Sequence, residues 1–147
     1  MRLLKQAHTV YKTQYHIVWV TRTRYRRNIL VKGLDSYFKT LITKEFKEFF
    51  PDVHVDECGT DQDHVHIHCI IPPKYAVSRI VEAFKSNTSR LMREKFSEFL
   101  NKVYWDGYGI WGTRFFVSTV GIDEATIRAY VRQQGRHDVG RTASLFE

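Results

Sequence analysis

The segment Asp63-His64-Val65-His66-Ile67-His68-Cys69-Ile70-Ile71 carries three histidines at alternate positions. Side chains on a strand alternate between its faces. His64, His66 and His68 therefore share one face, and Val65, Ile67, Cys69 and Ile71 share the other. Two imidazoles two residues apart on a rigid strand can hold one divalent ion through neutral nitrogens. With 7 histidines in 147 residues, chance alone yields about 0.3 such pairs, so the motif by itself is weak. A solvated strand face that happens to bear histidines stays open beside the metal site. A second chemical group lies in Ile127-Arg128-Ala129-Tyr130-Val131-Arg132-Gln133-Gln134, where Tyr130 and Gln134 are four apart and share a helix face. A tyrosine on an amphipathic helix is ordinarily a core or boundary residue. Its phenol, with an ordinary pKa of about 10, can also attack phosphorus and leave again more readily than an alkoxide. A nearby metal would polarise the scissile phosphate, and Gln134 could lend its carbonyl oxygen to the same ion.

Charge points to a polyanionic partner. Lys and Arg number 23 against 16 Asp and Glu, a formal charge of +7. The balance also fits a merely basic surface, but its distribution is uneven. Arg22, Arg24, Arg26 and Arg27 crowd around Tyr25. Cations for phosphates beside an aromatic platform for a base are what single-stranded nucleic acid requires.

Positioning these groups falls to alternating strands and helices. Residues 10–21 read as a strand rich in β-branched and aromatic residues. Residues 34–49 read as a helix, with Leu34, Tyr37, Phe38, Leu41, Ile42, Phe46 and Phe49 on one buried stripe and Pro51 as its stop. Strands over 53–59 and 63–71 flank the polar turn TDQD. A second helix spans about 76–100, and its polar middle, KSNTSR, is a place for a bend or a ligand. The glycine- and aromatic-rich YWDGYGIWG reads as a loop, followed by a strand over TRFFVSTV. Asp123 is an N-cap for a last helix over 124–134, with Gly135 as its stop. The order strand, helix, strand, strand, helix, strand is the split βαβ pattern of an α+β, ferredoxin-like (RRM-like) sandwich, here with an extra C-terminal helix. Its antiparallel sheet has one face under the helices and one free.

The length suits a single domain over 1–147. No apolar stretch approaches a membrane span, and the opening MRLLKQAHTVYK lacks an apolar signal core, so a cytoplasmic, non-membrane protein is expected. Cys58 and Cys69 do not form a CxxC pair, and Cys69 reads as a small buried hydrophobe.

At these residues the chain resembles a known family. YHIVWVTRTRYRR, DHVHIHCIIPPKYAVSRIV, WGTRFFVSTVG and IRAYVRQQG are similar, in this order, to the motifs of the single-tyrosine, His-hydrophobic-His (HUH) transposases of the insertion sequence 200/605 family, TnpA type. The resemblance implies Tyr130 as the catalytic nucleophile that leaves a 5′-phosphotyrosine and a free 3′-OH. It implies Mg2+ or Mn2+ held by His64, His66 and Gln134. It implies single-stranded DNA with hairpin ends as substrate, and a homodimer in which the tyrosine helix of one subunit docks on the histidine strand of the other. Lys85, Ser89 and Arg90 fall in the segment implied to contact DNA. Two positions depart from the family pattern: Ser86-Asn87 stands where a Gly-Lys pair is frequent, and His68 stands where an aliphatic residue is usual, either as an extra neighbour of the metal site or as a sheet-face histidine, the reading favoured here. Three other readings compete. They are a non-catalytic single-strand binder of the RNA-recognition type, a domesticated transposase acting on genomic palindromes, and a histidine-strand replication initiator.

Overall fold

A computed structural model describes residues 4–6, 9–11, 13–22, 28–31, 33–105, 109–119, 121 and 123–138 of the chain. A short hairpin, β1 (Leu4–Gln6) and β2 (Thr9–Tyr11), precedes the main sheet. That sheet contains β3 (Gln14–Val20), β4 (His54–Thr60), β5 (His64–Ile70) and β6 (Phe116–Ser118) in the spatial order β4-β5-β3-β6, antiparallel throughout. The helices are α1 (Leu34–Thr43), α2 (Val77–Lys95), α3 (Ser97–Val103) and α4 (Glu124–Asp138). With the hairpin set aside, this is the ferredoxin-like βαββαβ order plus a terminal helix. No helix among the described residues is long and apolar enough to cross a membrane.

Alternation along β3 and β5 divides the sheet into two unlike faces. Ile17, Trp19, Val65, Ile67 and Cys69 enter the main core beneath α1 and α2. Trp19, Phe38 and Trp111 meet there edge-on, with ring centroids 5.4 to 6.0 Å apart, an arrangement that sets ring edges against ring faces. On the opposite face Val18 and Val20 form a smaller cluster with Tyr130 and Val131 of α4. Cys58 and Cys69 are free thiols, and burial pushes both up to about 12, which keeps them protonated and inert.

Several element boundaries depart from the sequence expectations. The strand expected over 10–21 is interrupted, and its first part belongs to the hairpin. The helix expected over 34–49 ends at Thr43 and continues as a 3-10 turn over Glu45–Lys47. The hydroxyls of Thr40 and Thr43 donate to the carbonyls of Ser36 and Lys39 one turn back, a competition that weakens the last turn. The tighter turn sends Phe46 inward to stack on Phe84 at 5.4 Å, while Phe49, expected in the buried stripe, is 61 % exposed. At its start, Gly33 supplies the positive φ of 94° that admits the chain into α1.

The second long helix breaks at Phe96, so that α3 turns to bury Leu100 and Tyr104, whereas its polar middle runs straight through. The last strand is only three residues long. Gly135 does not stop the last helix, which runs on to Asp138. Asp123 caps that helix as expected, its Oδ1 accepting from the Thr126 N–H at 2.8 Å.

Phe38→Ala is expected to lower stability by about 3–5 kcal/mol, because it opens a cavity between two tryptophans. Phe49→Ala should change it by about 0.5 kcal/mol or less, as a surface substitution. Urea unfolding of the two variants checks the split assigned to the α1 stripe.

Candidate active site and nucleic-acid cleft

The free sheet face brings the histidine strand beside the tyrosine helix. His66 pairs across the strands with Val18, His64 with Val20 and His68 with His16. Val18 also pairs with Phe116 on the other side. Tyr130 packs in the cluster of Val18 and Val20, with its ring 5.8 Å from that of Phe116. Tyr130 therefore rests on the very residues that stand opposite His66 and His64.

Each histidine is held differently. The Nδ1 of His64 lies 2.9 Å from Asp63 Oδ1, so a carboxylate can orient the ring and leave Nε2 for a ligand. Burial lowers the pKa of His66, and the nearby His64 and Lys39 lower it further, against a partial counter-effect of Glu57. The neutral imidazole that a metal needs is thus favoured. Gly59 pairs directly with His66 from β4. A Cβ at Gly59 would overlap the His66 ring at Nε2 and Cε1, so the absence of a side chain there makes the seat for the imidazole. His68 does not join the pair. Its ring stacks on His16 at 4.4 Å, and its Nδ1 lies 4.0 Å from Asp56, beside the bulge between Val55 and Glu57. It is a sheet-face histidine, as read from the sequence.

Tyr130 is 6 % exposed, and its hydroxyl is buried without a hydrogen-bond partner among the described residues. Burial pushes the phenol up to about 12, partly offset by the positive charge of Arg114. A cavity of about 470 Å3 separates His64 and His66 from Glu124, Ile127 and Arg128 on the first turns of α4. Neither Tyr130 nor Gln134 lines it, and Gln134 is buried at 4 % exposure. Among the described residues no group of three or more His, Cys, Asp or Glu could hold a metal. Among the described residues, the imidazole nitrogens at this cavity are those of His64 and His66.

On the helix-covered side, Lys85, Ser89 and Arg90 line one cleft of about 710 Å3, joined by Arg93 and Trp111. Arg22 reaches the same neighbourhood: its guanidinium lies 5.0 Å from the Tyr104 ring centroid, and the Tyr104 carbonyl accepts from Arg93 at 3.2 Å. Arg24, Arg26 and Arg27, with Tyr25, lie outside the described residues. Sequence reasoning missed Gly59, Asp63, Arg93 and Arg114. For Gly59 a signal existed, since a glycine inside a strand often marks the close approach of another group. Asp63 also adjoins the first histidine.

The structure thus joins a ferredoxin-like sheet, a helix seated on its otherwise free face and a pair of strand histidines. The chain belongs to the IS200-like transposase family, whose family model matches residues 9–134. It is 29 % identical over 134 residues to the transposase for insertion sequence element IS200 of Salmonella typhimurium, covering 90 % of this chain and 83 % of that one. It is 27 % identical over 130 residues to the ISDra2 transposase TnpA of Deinococcus radiodurans, covering 88 % and 87 % of the two chains. A solved structure from Deinococcus radiodurans, described as a transposase, superposes with a TM-score of 0.71 at 25 % identity, covering 92 % of this chain and 97 % of the other.

Gly59→Ala is expected to displace the His66 ring and weaken Mn2+ binding by about tenfold or more, the scale for losing a residue that supports a metal ligand. Calorimetric titration of Mn2+ into both proteins, with circular dichroism as a check on folding, measures it.

Proposed function

We propose that this transposase cuts and rejoins single-stranded DNA at the ends of its element, with Tyr130 as nucleophile and Mg2+ or Mn2+ held by His64, His66 and Gln134. The observation that carries this reading is the packing of Tyr130 on Val18 and Val20, the cross-strand partners of the two histidines. Membership of a transposase family favours it over a non-catalytic single-strand binder.

In cleavage, Tyr130 Oη bonds to phosphorus while the bond from phosphorus to the 3′ oxygen breaks. The strand leaves with a free 3′-OH, and the 5′ phosphate stays on the tyrosine. In rejoining, a 3′-OH attacks that phosphotyrosine and the phenolic oxygen departs. A bound divalent ion supplies stabilisation of the charge that builds on the phosphate oxygens. The remaining tasks fall to the chain. Asp63 orients His64, and burial keeps His66 neutral. Burial in its apolar seat disfavours the Tyr130 phenolate, and Arg114 is the neighbouring charge that favours it.

The cleft lined by Ser89, Arg90 and Arg93 is the proposed binding surface for hairpin DNA. The proposed assembly is a homodimer with sites shared between subunits. The single chain seats α4 on its own sheet, so sharing would require that helix to move to the partner. Gly121, where a side chain would meet nothing within 4 Å, stands in the connection from β6 and is the proposed hinge.

Labelled single strands bearing the element's own ends should yield a protein-linked band with Mg2+ or Mn2+ and none in excess chelator. Tyr130→Phe should bind the same strand but form no adduct, and a persisting labelled band would exclude Tyr130. A mixed dimer of His64→Ala and Tyr130→Phe chains, verified by mass, separates the assemblies. Sites formed between subunits gather both defects in one site and restore about half of single-site cleavage, whereas sites formed within one subunit leave the mixed dimer inactive.

A further inference from the structure

The polar middle of α2 is a clasp. Lys85, Thr88 and Ser89 stand at spacings of three and four, so they share one face of the helix. Each of them holds the segment Ile110–Arg114. Ser89 Oγ accepts from the Ile110 N–H at 3.1 Å. Thr88 Oγ1, itself fully buried, accepts from Trp111 Nε1 at 2.9 Å. Lys85 Nζ donates to the carbonyls of Gly112 and Arg114. The far side of the same segment is stitched to β3: Gly112 N donates to Val20 O at 2.9 Å, and Trp111 bridges to Thr21.

This strap runs directly into β6, and two of its downstream groups act on Tyr130. The Arg114 charge bears on the phenol, and Phe116 packs against the ring. The clasp lies on the core side of the sheet with Val81 and Phe84, whereas Tyr130 lies on the opposite side with Val18 and Val20. The strap is thus a covalent and hydrogen-bonded route from one face of the sheet to the other.

We propose that Lys85 is a positioning residue for Tyr130, acting by bracing the strap that carries Arg114 and Phe116, rather than chiefly a phosphate contact. The inference rests on Tyr130 being the nucleophile. The Lys85 ammonium is largely desolvated, and burial brings it down to about 8. Two of its three donors are spent on backbone carbonyls that no other cationic side chain is seen to serve among the described residues. Arg90 lines the same cleft with its side chain 56 % exposed and is better placed for phosphates. DNA bound there would lie against the clasp, so binding on one face could bear on the tyrosine on the other.

The test has two arms. The first needs neither DNA nor cleavage: the folded proteins are treated with tetranitromethane, and nitration of each tyrosine is followed by peptide mass. In Lys85→Met, Tyr130 should be nitrated several-fold faster than in the unsubstituted protein, and Lys85→Arg should restore much of the protection. Tyr104, fully buried in the main core, reports unfolding and should keep its rate. Arg90→Ala should leave the Tyr130 rate alone. The second arm compares affinity with single-turnover cleavage. Lys85→Met should slow cleavage by about tenfold while its affinity for the hairpin strand stays within about twofold, whereas Arg90→Ala should lose affinity and show a shallower salt dependence. Tyr130 nitration at the unsubstituted rate in Lys85→Met would overturn the proposal. So would equal acceleration at Tyr104, or a loss of affinity with an unchanged cleavage rate. If Tyr130 were not the nucleophile, Tyr130→Phe would still cleave the strand, while the nitration arm would still report on the strap.

Discussion

Everything in this molecule depends on the antiparallel pairing of β3 with β5. The pairing puts every second side chain of each strand under the helices and the rest on the opposite face. A slip of one residue would reverse both sets. It would drive His64, His66 and His68 into an apolar core and expose Val65, Ile67 and Cys69. The burial of those three residues therefore locks the histidine face in register. The same register sets Val18 and Val20 opposite His66 and His64, and so makes the apolar seat on which Tyr130 rests.

The free face is thereby divided into an apolar half, taken by α4, and an imidazole half that borders a cavity. Burial favours the neutral form of both groups, raising the tyrosine and lowering His66.

The helix-covered side has a different logic. There the sheet needs α2 as a lid, and α2 also holds the strap over Ile110–Arg114, whose Ile110 and Trp111 are buried in the main core. Polar residues in the middle of a buried helix are costly unless paired. Here Thr88, Ser89 and Lys85 are paired with the strap and serve as its attachment points.

The sequence by itself determined the two-faced histidine strand, the order of the elements, the ferredoxin-like class and the capped tyrosine helix. Each of these is a local property: period two for β5, period near 3.6 for α2 and α4, and an aspartate three residues before the amide it caps. Its motifs also carried the family. It did not determine where the long helices break, because Phe46 and Leu100 are turned inward by packing partners far away in the chain. Nor did it show that Gly59 seats His66, that the charge of Arg114 bears on Tyr130, or that KSNTSR is straight and holds a strap. Those relations join residues separated by many positions and exist only once the sheet has closed, because hydrogen bonds and steric fit act between neighbours in space and not along the sequence.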